Sequence, residues 1–157
     1  MKLKGLIDED FVNYKKPSLF LIFPFCTFKC EKECGIQCCQ NSSLARQPII
    51  EISTEKLVQR YLENPISESV VMGGMEPFDS FDDVLNFISI LRKHSDSDVI
   101  LYSGYYKSEI EDKIEQLQKF PNIIVKFGRF KPNEPHHIDP ILGVELASTN
   151  QYAEKIS

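Results

Sequence analysis

The sequence has no run of basic residues. Of its 157 residues, 18 are Lys or Arg and 23 are Asp or Glu, which gives a formal net charge of −5 at pH 7. Non-specific binding to nucleic acid needs a basic face that displaces counterions, and attraction to an anionic membrane surface needs one as well. We therefore expect neither a nucleic acid nor a membrane as a partner.

The sequence also lacks a long apolar segment. Its longest apolar stretch, Leu19 to Phe25, contains Pro24 and is far too short to span a bilayer. The first ten residues hold no long apolar stretch, so we expect no signal peptide and a cytoplasmic protein. Cysteines stay reduced in that compartment, so a group of them indicates metal binding or catalysis before it indicates disulfides.

No internal repeat or linker divides the chain, and we expect residues 1–157 to form a single domain. Short apolar runs alternate with segments of helical periodicity. The runs predict strands over 19–23, 69–72, 98–102, 123–127 and, shorter, over 141–146. The apolar stripes of three helices are Leu57, Val58, Tyr61 and Leu62; Phe81, Val84, Leu85, Ile88 and Leu91; and Ile110, Ile114 and Leu117.

This alternation predicts an α/β fold with parallel βαβ units. Sheets of this kind bind ligands at the carboxyl ends of their strands. The unusual residues of this chain follow the predicted strands: the cysteines after the first, Gly73 to Glu76 after the second, and Ser103-Gly104 after the third. The sequence therefore predicts a ligand site at that edge of the sheet.

All five cysteines lie between positions 26 and 39, in a segment without apolar periodicity that we predict to be a loop. Several thiolates in one loop suit a soft metal centre, because the loop lets each sulfur turn toward one point. A structural zinc site is the main alternative, since four thiolates could close a tetrahedron. Zinc loops usually carry paired Cys-x2-Cys knuckles, and none occurs here, whereas Cys26 and Cys30 are separated by three residues.

Cys26-Thr-Phe-Lys-Cys30 after an apolar strand, followed by a later cysteine, resembles the cluster loop of the radical S-adenosylmethionine (SAM) superfamily. The usual pattern there is Cys-x3-Cys-x2-Cys, but this chain has Glu33 three places after Cys30. Three later cysteines therefore compete for the place of third ligand. Cys39 is favoured, because Cys39-Gln40-Asn41 keeps the Asn that follows the third ligand in activases of anaerobic ribonucleotide reductase; Cys38 comes second and Cys34 third.

Four further segments resemble those activases, in the family's order. Gly73-Gly74-Met75-Glu76-Pro77 is similar to the Gly-Gly-Glu-Pro motif that holds the SAM amino group, with Met75 inserted. The others are Tyr102-Ser103-Gly104-Tyr105, Phe127-Gly128-Arg129-Phe130 and Ser148-Thr149-Asn150-Gln151. Together the matches run from about residue 19 to residue 151.

The resemblance implies a small partial (βα) barrel of the radical SAM type, with a mostly parallel sheet. It implies a [4Fe–4S] cluster held by Cys26, Cys30 and Cys39, whose open iron binds SAM and splits it to a 5′-deoxyadenosyl radical. Beyond the cluster ligands it implies no catalytic residue. The residues that it implies for SAM binding are Gly73, Gly74, Met75, Glu76, Ser103 and Asn150.

As an activase, the protein would install a glycyl radical on a partner enzyme, with anaerobic ribonucleoside-triphosphate reductase as the favoured partner. Its electron donor would be a protein such as flavodoxin or ferredoxin. Two other functions stay open: a radical SAM enzyme that acts on a peptide or small molecule, and a non-catalytic zinc or iron–sulfur interaction module. Lys126, a charge within an apolar strand, either contacts an anion or extends to solvent from an edge strand.

Overall fold

A computed structural model describes all 157 residues of the chain, in ten strands, five α-helices and two short 3-10 turns. In chain order the strands are β1 (Lys2–Leu3), β2 (Gly5–Asp10), β3 (Ser18–Phe23), β4 (Ile50–Glu51), β5 (Ser69–Gly74), β6 (Asp98–Tyr102), β7 (Ile123–Phe127), β8 (His137–Asp139), β9 (Val144–Leu146) and β10 (Tyr152–Lys155). The helices are α1 (Lys29–Cys34), α2 (Ser42–Ala45), α3 (Thr54–Glu63), α4 (Phe81–Leu91) and α5 (Glu111–Leu117). The 3-10 turns span Pro77–Ser80 and Lys107–Glu109.

Six strands form the central sheet, in the order β10-β7-β6-β5-β3-β2. The four inner strands, β3, β5, β6 and β7, are parallel, and the two edge strands pair antiparallel with their neighbours. Every residue of β7 is buried, as are the first five of β5. Burial on both faces explains the continuous apolar runs of these strands.

The three longer helices cover one face of the sheet with a core of 23 buried residues. Ser53 caps α3 by accepting a hydrogen bond from the Lys56 backbone N–H at 3.2 Å, which satisfies one of the free donors of the first turn. Leu57, Val58 and Tyr61 of α3 face this core. Leu62 was expected to be the fourth buried member of that stripe. That prediction was wrong, because Leu62 is 43% exposed.

The opposite face carries a second, smaller core of seven buried residues. Tyr14, from the loop between β2 and β3, packs there with Leu142 and Leu146 from the β8–β9 hairpin against Val71 and Ile100 of the sheet. The hairpin therefore closes the face that the helices leave open.

The structure confirms a mixed α/β fold with a mostly parallel central sheet; the partial barrel stays a prediction. Two further local predictions were wrong. The cysteine segment is no simple loop but contains α1 and ends just before α2, and the strand expected over 141–146 is limited to Val144–Leu146, paired with His137–Asp139. No helix has the length and apolar content needed to cross a lipid bilayer.

Candidate metal centre

The carboxyl ends of the inner strands open into a cavity of about 380 Å³. Residues that follow β3, β5 and β6 meet there with residues of β7, as expected for a parallel sheet. Its polar and thiol-bearing lining consists of Asn13, Cys26, Cys30, Cys39, Gln40, Asn41, Glu76, Tyr102, Ser103, Lys126, Glu145 and Gln151. Gly73, Gly74 and Met75 contribute to the same wall.

Three of the five thiols line this cavity: Cys26, Cys30 and Cys39. The other two are directed to backbone carbonyls, with the Cys34 Sγ 3.3 Å from the Ile36 oxygen and the Cys38 Sγ 3.7 Å from the Cys30 oxygen. None of the five forms a disulfide. The structure thus separates the cysteines into three that share a cavity and two that lie outside it.

Hydrogen bonds attach the cysteine segment to the second inner strand. The Glu76 N–H donates to the Phe25 carbonyl at 2.8 Å, and the Asn41 side-chain amide donates to the Gly74 carbonyl at 2.6 Å. These bonds lie before the first thiol and just after the last one. The segment is therefore held to the end of β5 on both sides of its cysteines.

Phe28, between the first two thiols, adopts the left-handed region at φ 54° and precedes α1. A non-glycine residue in that region costs about 1–2 kcal/mol. Its N–H donates to the Cys26 Sγ at 3.2 Å. Strain of this kind concentrates at functional sites, where the surrounding structure holds it in place.

Two of the cavity thiols have a pKa above the ordinary value of a cysteine. Burial is the main cause that raises the pKa of Cys26 to about 11, and the nearby Glu76, Asp79 and Cys30 add to it. Burial likewise raises the pKa of Cys39. Both thiols are therefore protonated when no metal is bound, and metal binding must release their protons.

Glu76 is buried at the end of β5, with 5% of its surface exposed. It accepts hydrogen bonds from the Phe78 N–H at 3.1 Å, the Ser103 hydroxyl at 3.0 Å and the Gly104 N–H at 2.8 Å. Burial nevertheless outweighs these bonds and raises the pKa of this carboxyl to about 7. A carboxylate in this place would gain from a cationic ligand.

Two glycines allow close approach around that carboxylate. Gly74 has φ 83°, and a Cβ there would lie 2.5 Å from the Ile22 Cγ2, so no other residue fits without displacement. At Gly104, a Cβ would stand 3.5 Å from the Cys30 Sγ and 3.7 Å from a Glu76 oxygen. Cys30 and Glu76 therefore face the same point of the cavity wall, next to Gly104.

The three cavity thiols are a donor set that a cluster can use. No three His, Cys, Asp or Glu side chains are close enough to hold one metal ion, whereas three thiols lie around one cavity. A cluster has a separate iron for each thiolate, so its ligands need not converge on a single point. The soft thiol donor set is also the one that iron–sulfur clusters use.

Arg129 connects α1 to the 3-10 turn Lys107–Glu109, a set of contacts that the sequence did not reveal. Its guanidinium donates to both Glu109 oxygens at 2.8 and 2.6 Å, and its Nε lies 2.8 Å from a Glu33 oxygen on α1. It also stacks 4.6 Å from the centre of the Tyr106 ring. The Arg129 contact lowers the pKa of Glu109 to about 2. In the sequence, Arg129 was noticed only as part of Phe127-Gly128-Arg129-Phe130, the segment that resembles the activases.

Asn150 does not line the cavity, in contrast to the other residues expected to contact SAM. Its side-chain amide donates to the Arg129 carbonyl at 2.8 Å, and its oxygen accepts from the Ser148 hydroxyl at 2.8 Å. These contacts fix the chain next to Arg129. The neighbouring Gln151 lines the cavity instead.

One comparison with known proteins gives a match. Residues 18–149 match a family model described as a 4Fe-4S single cluster domain. The matched range begins at β3 and ends after β9, so it includes every thiol and the strands that end at the cavity. No curated protein and no solved structure matches the chain.

Proposed function

Because the chain belongs to the 4Fe-4S single cluster domain family, we propose that it is a SAM-dependent activase that generates a glycyl radical on a partner enzyme. The favoured partner is an anaerobic ribonucleoside-triphosphate reductase. The observation that carries the proposal is the meeting of three thiols and the Gly73-Gly74-Met75-Glu76 segment at one cavity.

The number of cavity thiols supports an open cluster. Cys26, Cys30 and Cys39 would hold three irons and leave the fourth without a protein ligand, whereas a cluster with four cysteines is closed and suited to electron transfer alone. The bound cluster would supply the electron that splits SAM into methionine and a 5′-deoxyadenosyl radical, which takes a hydrogen atom from a partner glycine. The protein would bind and orient the reactants.

The residues around the thiols suit the polar end of SAM. Glu76 offers carboxylate oxygens to an ammonium group, and the glycines beside it let backbone approach the ligand. Ser103, whose hydroxyl donates to Glu76 and accepts from the Tyr105 N–H at 2.9 Å, keeps that carboxylate in position. In this proposal Asn150 does not contact SAM directly. It holds the Arg129 backbone carbonyl through its side-chain amide.

The cavity reaches the surface, which supports a macromolecular substrate. Val12 lines it and is 74% exposed, and the neighbouring Phe11 is 65% exposed. An extended glycine-containing loop of a partner could reach the cavity from this side. A radical enzyme acting on a small molecule would instead need a wall that shields the reaction from water.

Anaerobic reconstitution with iron and sulfide, followed by dithionite reduction with SAM, tests the proposal. We expect a reduced [4Fe–4S] EPR signal that SAM changes, 5′-deoxyadenosine in the products, and a glycyl EPR doublet when anaerobic ribonucleoside-triphosphate reductase is present. The Cys30→Ser variant, which removes one cavity thiol, is the negative control. A colourless protein with one zinc would overturn the proposal, and so would a cluster that does not respond to SAM. SAM cleavage without a doublet on the reductase would favour the peptide or small-molecule enzyme.

A further inference from the structure

The loop between the first two thiols contains a strained residue. Thr27, Phe28 and Lys29 join Cys26 to Cys30, and Phe28 has a φ of 54°. A conformation of this kind persists only where the surrounding structure holds it. The contacts of the two residues that flank Phe28 should therefore show what holds the loop in place.

Asp79 holds the residue before Phe28. It lies in the 3-10 turn Pro77–Ser80, and its Oδ2 accepts a hydrogen bond from the Thr27 N–H at 3.1 Å. Its Oδ1 accepts a second bond, from the Tyr105 hydroxyl at 2.6 Å. Hydrogen bonds to an ionised carboxylate are about twice as strong as those between neutral groups. One carboxylate thus joins the cysteine segment to the residues that follow β6.

Tyr105 holds the residue after Phe28. The Lys29 ammonium lies 4.4 Å from the centre of the Tyr105 ring, within the distance at which a cation is attracted to an aromatic face. Burial and the hydrogen bond to Asp79 raise the pKa of Tyr105 to about 12, so the phenol stays protonated at neutral pH and keeps donating. The residues on both sides of the strained position are therefore attached to one pair of side chains, Asp79 and Tyr105.

The same pair is connected to the cavity wall. The Tyr105 N–H donates to the Ser103 hydroxyl at 2.9 Å, and that hydroxyl donates to Glu76 at 3.0 Å. Between these two residues, the Gly104 N–H donates to Glu76 at 2.8 Å, and a Cβ on Gly104 would stand 3.5 Å from the Cys30 Sγ. Three consecutive residues therefore contact the buried carboxylate, the second thiol and the loop between the thiols. A shift of the loop would move the thiols relative to Glu76.

We propose that Asp79 and Tyr105 are positioning residues, which fix the loop between Cys26 and Cys30 against the cavity wall and so determine where the first thiol meets a cluster. Neither side chain lines the cavity, so both act through the loop that they hold. The inference goes beyond the proposed function, because it concerns how the thiols are held and does not require the cluster to cleave SAM.

Alkylation of the thiols in the cluster-free protein tests this role. Wild type, Asp79→Asn and Asp79→Ala are treated anaerobically with iodoacetamide, and tandem mass spectrometry of the peptides gives the rate at each cysteine. The Asn side chain carries no charge, but it can accept from the Thr27 N–H and donate to the Tyr105 oxygen, whereas Ala can do neither.

The half-buried Cys26 should become more accessible when the loop is released. We expect it to react about tenfold faster in Asp79→Ala than in Asp79→Asn, an effect of the size of one hydrogen bond. Burial and then the charges of Glu76 and Asp79 raise the pKa of Cys26, so losing the charge also speeds alkylation. Both variants lose that charge, and the comparison between them isolates the hydrogen bonds.

Cys39 is the internal reference. It lies at the other end of the cysteine segment, which the Asn41 amide attaches separately to the Gly74 carbonyl, so its rate should be the same in Asp79→Ala and Asp79→Asn. Asp82→Ala removes an exposed carboxylate three positions along the chain and should leave the rates of both cysteines unchanged.

A second variant tests whether the two side chains act as a pair. Tyr105→Phe removes the hydroxyl and keeps the ring that Lys29 contacts. Combined with Asp79→Ala, it should accelerate the alkylation of Cys26 by less than about twofold more, because both changes remove the same hydrogen bond. In the cluster-reconstituted protein, a chelator should take iron faster from Asp79→Ala than from Asp79→Asn.

The outcomes are distinct. Equal acceleration at Cys26 and Cys39 in Asp79→Ala would overturn the inference, because it would show a general loss of stability and not the release of one loop. Equal rates at Cys26 in Asp79→Ala and Asp79→Asn would overturn it as well, since only the charge of Asp79 would then matter. A cluster that does not respond to SAM would overturn the proposed function, whereas the alkylation rates would still decide this inference.

Discussion

The five thiols differ in what surrounds them, although they lie within 14 consecutive positions, from 26 to 39. Cys39 faces the cavity with Cys26 and Cys30, while Cys34 and Cys38 are turned to backbone carbonyls. Of the three candidates for the third ligand, Cys39 is therefore the one that shares the cavity with Cys26 and Cys30, and its role as a ligand stays a prediction.

Single serine substitutions should identify that ligand. We expect Cys39→Ser to lose most of its reconstituted iron and its cluster absorption, because a hydroxyl is a poor ligand for a soft iron–sulfur centre. Cys34→Ser, the matched control from the same segment, should keep both. Iron and sulfide analysis of the two proteins measures the difference; a Cys34→Ser protein that loses its cluster would contradict the assignment.

Glu76 should make the cluster-free protein less stable as the pH rises. The folded-state pKa of about 7 exceeds the ordinary value of 4.5, so the native state holds its proton more tightly than the unfolded state does. The resulting stabilisation is complete below about pH 4.5 and is lost as the pH rises through 7. From pH 5 to pH 8 the loss should be about 2–3 kcal/mol.

The Glu76→Gln variant removes this titration. Urea unfolding at several pH values should show that its free energy of unfolding, relative to that of the wild type, rises by about 2–3 kcal/mol from pH 5 to pH 8. Any constant cost of the lost acceptor cancels in that comparison. Glu115→Gln, at an exposed position of α5, should show no such trend. A constant difference between Glu76→Gln and the wild type would refute the expected pH dependence.

At the scale of elements, α1 depends on its surroundings. None of its six residues is buried, and helices this short are unstable alone in water. The contact of Glu33 with Arg129 and that of Lys29 with Glu109, at 3.3 Å, connect it to the rest of the protein. The position of the second thiol, Cys30, therefore depends on a charge network outside the cavity.

Replacing Arg129 by Met should release α1. We expect a loss of about 1.5–3 kcal/mol in the free energy of unfolding, typical of hydrogen bonds to charged groups, and faster loss of iron to a chelator. Arg60→Met is the matched control, because Arg60 binds Asp8 through two nitrogens at 2.5 and 2.6 Å, at an exposed place on α3. That variant should lose at most about 1 kcal/mol and keep its iron; equal iron release from both would contradict the role of Arg129.

The elements that the sequence predicted are those with apolar periodicity. Inner strands β3, β5, β6 and β7 are buried on both faces, so they appear as uninterrupted apolar runs. Edge strands β2 and β10 were missed, because the sequences Gly-Leu-Ile-Asp-Glu-Asp and Tyr-Ala-Glu-Lys have no such run. Their strand conformation comes from pairing with β3 and β7, which no local pattern encodes.

The candidate site was likewise predictable only where its residues form a local sequence pattern. The thiols, the glycines and Glu76 were found because they lie in compact segments after predicted strands. The charge network of Arg129 joins residues separated by 20 positions or more, as in Arg129 with Glu109, so no motif contains it. Lys126 was noticed as a charge in an apolar strand, but only the fold shows that it faces the cavity.

In the whole molecule, the sheet separates two apolar cores. Ile88 of α4 belongs to the core under the helices, and Ile124 of β7 belongs to the core under the hairpin. Ile88→Val and Ile124→Val should each cost about 0.5–1.5 kcal/mol. Because the two positions share no core, the double variant should lose the sum to within about 0.5 kcal/mol in urea unfolding; a larger discrepancy would show that the cores are coupled through the sheet.

The strand order of the sheet repeats the order of the chain from β2 to β10. A chain that leaves the ribosome from its N-terminus can thus dock each of these strands beside its predecessor. The thiols emerge after β3, long before β7 and the hairpin complete the cavity around them. Iron delivered during synthesis would meet the thiols before β7 and the β8–β9 hairpin surround them, so we expect cluster insertion to follow completion of the chain.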